Sequence, residues 1–160
     1  MRTQQRLGIS ILTTSSLILG TAIAFSQSSP ATAQSCIPLR VVEGQGETVT
    51  RKRISSPGVV PGVVNNWNTD FAVPTGRRFT SYVATITPEN SAPYNVAVNL
   101  KYNDNTSSEV FRQDGLNLRR NVPYQIAAKT PAGVARQPYQ VNLNISGTFG
   151  NTYQAKVSAC

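Results

Sequence analysis

Two features of this chain have the residue types to hold a ligand. Trp67, the single tryptophan, stands in Asn65-Asn66-Trp67-Asn68-Thr69-Asp70, where side-chain amides surround an aromatic face. A planar ring stacks on a pyranose while amides bond its hydroxyls. The competing reading is a core tryptophan at the start of a strand, common in sandwiches. Arg77 and Arg78 follow the turn residues Pro74-Thr75-Gly76, so both can project from one loop into an anionic site. Trp67, Arg77 and Arg78 are therefore the expected binding residues. The triplet Arg51-Lys52-Arg53 is different, because neighbours along a strand point to opposite faces, and its expected role is to guard an exposed edge.

Reaction chemistry is harder to assemble. Without histidine there is no Ser-His or Cys-His nucleophile, no His-ligated zinc and no imidazole pH switch. Gly-x-Ser-x-Gly is absent, no lysine has serine three residues before it, and no glycine loop of the phosphate-cradling kind occurs. Glu43 and Glu47, or Asp104, Glu109 and Asp114, would have to converge to act as a carboxylate pair, and nothing in their spacing makes them do so. Asn103-Asp104-Asn105 reads as a hairpin tip, since it lacks the regular spacing of a calcium loop. The expectation is a non-enzyme with no catalytic residues, no metal ligands and no cofactor.

The elements that must carry these residues are strands. Tyr94, Val96, Val98, Leu100 and Tyr102 alternate with Asn95, Ala97, Asn99, Lys101 and Asn103. The same period of two runs through Tyr139, Val141, Leu143 and Ile145, and through Tyr153, Ala155 and Val157. Such strands have one wet face and belong to antiparallel sheets. Further strands are expected at 47–54, 69–73, 78–87, 107–113, 116–120 and 122–129, with Asp114-Gly115 closing a two-residue type I′ hairpin. The segment Val59 to Asn68 reads as a crossing loop or an edge strand. No helical periodicity is found beyond the N-terminal segment. An antiparallel β-sandwich of immunoglobulin-like or jelly-roll type is expected over 34–160, with a small barrel as the alternative.

Residues 1–33 have the parts of a secretory signal in order: Arg2 and Arg6, an apolar run from Leu7 to Phe25, a polar stretch, and Ala31-Thr32-Ala33 before Gln34. Export to a periplasmic or extracellular space is expected, with membrane contact only where that segment stays uncleaved. Cleavage removes two of the 15 basic residues and none of the 7 acidic ones, leaving a formal charge of +6 on the remaining chain. That charge favours acidic polysaccharide or the anionic cell envelope as partner, while export argues against nucleic acid. In an oxidising compartment Cys36 and Cys160 are expected to form one disulfide, which brings the two ends of the mature chain together.

Asp70-Phe71-Ala72-Val73-Pro74-Thr75-Gly76 is similar to the opening strand and turn of the bacterial pre-peptidase C-terminal β-sandwich domains. Pro123-Tyr124-Gln125-Ile126, followed by Pro138-Tyr139-Gln140-Val141-Asn142-Leu143, resembles their closing hairpin. The resemblance covers about residues 69–146 and implies an accessory secreted module without catalysis; it supplies no site residues. The functional expectation is a non-catalytic exported module for acidic envelope or extracellular polysaccharide. The alternative is a structural, assembly or inhibitor protein acting through protein contacts.

Overall fold

A computed structural model of the chain describes residues 35–56 and 66–160. The segment 1–33, read above as a secretory signal, and most of the stretch from Val59 to Asn68 lie outside the described residues.

The described chain is all strand and turn, and no helix in it is long and apolar enough to cross a membrane. Its strands are β1 (Ile37–Pro38), β2 (Arg40–Val41), β3 (Val49–Arg53), β4 (Asn68–Ala72), β5 (Ser81–Pro88), β6 (Ala92–Lys101), β7 (Ser107–Leu118), β8 (Tyr124–Lys129), β9 (Gln140–Gly147) and β10 (Thr152–Ala159). They form two antiparallel sheets packed as a sandwich. The first runs β1-β10-β5-β8, with β3 also pairing β10; the second runs β2-β4-β9-β6-β7. The chain changes sheet at Leu39, which is fully buried between β1 and β2.

The period-two pattern explains why these strands pair as they do. Val96, Val98 and Leu100 of β6, Val141, Leu143 and Ile145 of β9, and Tyr153, Ala155 and Val157 of β10 all turn inward and form the core with Tyr82, Ile86 and Phe71. Shifting any of these strands by one residue would expose its whole apolar set, so register and burial are one choice. Tyr82, Tyr94 and Tyr153 are the largest fully buried side chains. Burial of this kind contributes about 1.5–3 kcal/mol per large apolar side chain. The Tyr94 hydroxyl donates to the Asn90 carbonyl at 3.1 Å, and burial pushes the Tyr82 phenol up to about 12.

Three expectations are corrected here. Asp114-Gly115 does not close a hairpin: 107–118 is one strand, and Gly115, at φ 67°, sits in a bulge opposite Asn95. The Gly115 N–H donates to Asn95 Oδ1 at 2.9 Å, so the left-handed glycine bends the strand without ending it. The segments read as a closing hairpin, β8 and β9, fall in different sheets, because β8 pairs β5 and β9 lies between β4 and β6. Tyr139, placed on the buried face by alternation, is 41% exposed, because the core of this strand begins two residues later at Val141.

One close approach fixes the end of β9. Gly147 has φ 150°, and a Cβ there would lie 2.9 Å from the Pro93 carbonyl oxygen. Gly147→Ala is therefore expected to lower stability by about 1–3 kcal/mol through strain and crowding. Urea unfolding checks this, and an unchanged midpoint would contradict it.

Candidate functional site

The strands place the loops at two ends of the sandwich. At one end lie the 73–80 segment after β4, the β6–β7 turn and the 130–139 segment before β9; at the other lie residues 89–91, 119–123 and 148–151. Arg77 and Arg78 are at the first end and exposed. Trp67 precedes β4 and is therefore at the other, with the whole of that strand between it and the arginines. Its indole is half-buried against the core, and Nε1 donates to the Ser55 carbonyl at 3.2 Å. The aromatic and cationic parts of the site expected from sequence are not brought together.

Another aromatic residue stands beside the arginines. Tyr139 lies where two hollows meet. The first, about 430 Å³, is lined by Tyr139 with Arg77, Arg78, Asn103 and Gln137. The second, about 360 Å³, is lined by Tyr139 with Arg40, Ala72 and Gln140. The Tyr139 backbone is held on both sides, since its N–H donates to the Lys101 carbonyl at 3.0 Å and its carbonyl accepts from Val73 N–H at 2.9 Å. None of Arg40, Arg77 and Arg78 forms an ion pair among the described residues.

The arginine loop is also fixed by named contacts. Gln137 Oε1 accepts from the Phe79 N–H at 3.1 Å, and Gln137 Nε2 donates to the Pro74 carbonyl at 3.2 Å, so one amide ties both ends of the loop. Gly76, at φ 79°, makes the turn between them. The Arg77 guanidinium lies 5.5 Å from the centre of the buried Phe79 ring, an arrangement that orients a cation by its attraction to the ring face. Arg136 pairs with Asp104, whose carboxyl is held below the usual range by the Thr106 hydroxyl and by Arg136 itself. That carboxylate is thus neutralised by its own neighbour.

Beyond Ala72 and Gln140 the outer face of the second sheet carries a band of amides. Asp70, Asn142 and Asn99 are partners across β4, β9 and β6, as are Asn68 and Asn144 one step along. Asn142 Nδ2 donates to Asp70 Oδ1 at 2.9 Å, Asn99 Nδ2 to Asn142 Oδ1 at 3.4 Å, and Asn144 Nδ2 to Asn68 Oδ1 at 3.0 Å. Lys101 Nζ closes the row on Asp70 Oδ2 at 2.8 Å. The face is charge-balanced, because Glu109 is gripped by Arg112 through three bonds of 2.6–3.0 Å. It offers fixed donors and acceptors at the strand spacing of ~4.8 Å.

The carboxylates weighed for catalysis are accounted for differently. Glu43 and Glu47 line a cleft of about 460 Å³ at the side of the sandwich together with Lys52, which alternation turns inward while Arg51 and Arg53 face out. Lys52 Nζ donates to the carbonyls of Asn68 at 2.7 Å and Asn66 at 3.3 Å, and desolvation lowers its pKa. Among the described residues no cluster of three or more acidic, cysteine or histidine side chains could hold a metal. Cys36 and Cys160 are joined, with Cα atoms 4.3 Å apart.

Sequence reasoning did not place Tyr139 and Arg40 beside these hollows. Both sit at strand ends, where alternation stops reporting which side chains the core covers. The usable signal was Arg136-Gln137-Pro138, a polar run ending in a proline directly before the strand.

No family model and no curated protein matches the chain. Two solved structures of CBM29-2, a family 29 carbohydrate binding module, both point mutants, are similar to it. One has 9% identity over 79% of this chain and 90% of that chain, with a TM-score of 0.45; the other has 8% identity over 78% of each chain, with a TM-score of 0.43.

Proposed function

We propose that this domain is a non-catalytic, exported binding module for acidic polysaccharide, with the glycan seated on Tyr139 between Arg40 on one side and Arg77 and Arg78 on the other. The observation that carries the reading is an exposed, backbone-clamped aromatic ring flanked by three arginines that have no carboxylate partner among the described residues. An aromatic face stacks on the apolar side of a sugar ring, and a guanidinium fork binds a carboxylate or sulfate with two parallel hydrogen bonds. The amide band from Gln140 to Asn142 and Asn144 extends the same surface, with groups that bond hydroxyls. A disulfide between the ends of the chain suits an oxidising, extracytoplasmic compartment.

Assembly through an edge strand is less well supported. Of the outer strands, β7 is bulged at two places and carries Glu109 and Arg112, β3 turns Arg51 and Arg53 outward, and β8 ends on Lys129. Bulges and charges at an edge oppose pairing with another chain.

Isothermal titration with an oligouronate and a neutral oligosaccharide of equal length tests the proposal. Binding of the oligouronate that weakens as salt rises is expected, with the neutral chain much weaker. Equal binding of the two, or none at low salt, would overturn it.

A further inference from the structure

We propose that the end of the sandwich opposite Tyr139 docks on an anionic lipid surface, with Phe149 and Val122 entering the interface and Arg53, Arg119 and Arg120 contacting the headgroups. Phe149 is 67% exposed in the β9–β10 connection, where the chain crosses from one sheet to the other, the most exposed large apolar side chain among those described, and Val122 is 47% exposed in the β7–β8 connection.

These tips are rigidly presented. The Asn121 N–H donates to the Pro88 carbonyl at 2.7 Å, Arg120 N–H to Ser91 Oγ at 2.9 Å, and Thr152 N–H to Asn90 Oδ1 at 2.9 Å, lacing the three connections together. The Gly150 N–H donates to the Ile54 carbonyl at 3.0 Å, and Arg53 Nε to the Gly150 carbonyl at 3.1 Å, which sets a guanidinium beside the connection that carries Phe149. Asn121 and Gly150, at φ 57° and 87°, make the two tips. An ordered scaffold loses little conformational entropy when its tips are immobilised at an interface.

The charge selects the partner. Arg53, Arg119 and Arg120 are in no ion pair among the described residues, and the carboxylate at this end, Glu89, is taken by Arg51 through bonds of 2.7 and 2.6 Å. The apolar groups are carried on two separate connections, which suits a fluid interface better than a shaped protein surface. Basic side chains beside inserted apolar ones are the pattern by which peripheral proteins hold anionic bilayers. Membrane contact then belongs to the folded domain, and not only to residues 1–33 as the sequence suggests.

The test is sedimentation of the protein, recovered after export, with vesicles of phosphatidylcholine alone or mixed with phosphatidylglycerol. Binding to the anionic vesicles is expected to exceed binding to the neutral ones and to fall as salt rises. Phe149→Ala should weaken it about tenfold or more, and Arg119→Ala with Arg120→Ala about fivefold per arginine. Tyr139→Ala should leave it unchanged, which separates this surface from the glycan site. Phe149→Trp should add an emission that shifts blue and is quenched by brominated lipid. Equal binding to neutral vesicles, no binding to anionic ones, or variants at residues 119, 120 and 149 that bind as the parent does would overturn the proposal.

Discussion

Cys160→Ser is expected to lower the unfolding free energy by about 2–5 kcal/mol and the melting temperature by on the order of 10 °C or more. The bond joins residues separated by 124 positions, so it closes nearly the whole folded chain into one loop. In the chain-entropy model such a loop removes close to 5 kcal/mol of freedom from the unfolded state. The native side matters as well. Cys160 is anchored independently, because its N–H donates to the Ser81 carbonyl at 2.8 Å and its carbonyl accepts from Thr80 N–H at 2.9 Å. By contrast, β1 meets β10 through only two residue pairs, Ile37 with Ala159 and Pro38 with Ser158. Without the disulfide, β1 is expected to detach first, leaving Leu39 held by its N–H bond to the Val157 carbonyl at 2.8 Å. Calorimetry of the parent with and without reductant, beside the variant, measures the effect; three equal melting temperatures would contradict it.

The second large effect concerns the glycan site. Tyr139→Ala is expected to weaken oligouronate binding by about 1–3 kcal/mol at every salt concentration, the loss typical of removing an interface aromatic anchor. Arg77→Ala combined with Arg78→Ala should act differently. Charge contacts are screened as the Debye length falls to ~3 Å at 1 M salt, so the double variant should bind weakly at low salt and approach the parent at high salt. Trp67→Ala should leave affinity unchanged while lowering stability, because the indole packs on the core and bonds the Ser55 carbonyl. Isothermal titration across a salt series distinguishes these behaviours. A Trp67→Ala loss as large as that of Tyr139→Ala would restore the tryptophan to the site.

The sandwich was legible because burial on one face of a strand writes itself into every second residue. β6, β9 and β10 follow their apolar alternates residue for residue, and the pairing of Cys36 with Cys160 was expected from two cysteines in a chain read as exported. What failed was set by partners distant in sequence. Asp114-Gly115 has the composition of a hairpin turn, yet Asn95, twenty residues away, supplies the acceptor that turns it into a bulge. β8 and β9 follow one another with similar composition, but the sheet each joins is decided by β5 and by β4 and β6. The geometry of the proposed site was half visible for the same reason. Arg77 and Arg78 could be read from a turn followed by two cations, whereas Trp67 attracted attention by its neighbours while its burial depended on the core behind it. Tyr139 looked like a core residue because alternation does not say where a core ends.

The central claim is that ligand contact is made at the Tyr139 end. Mapping backbone amide shifts of the ¹⁵N-labelled protein while titrating an oligouronate at low salt tests it most directly. Perturbations are expected at Arg40, Ala72, the 76–78 loop, Asn103 and 137–140, fading along Asn142 and Asn144, with the amides of Trp67 and Asn68 unmoved. Shifts concentrated around Trp67, or spread evenly over the basic surface, would contradict the assignment.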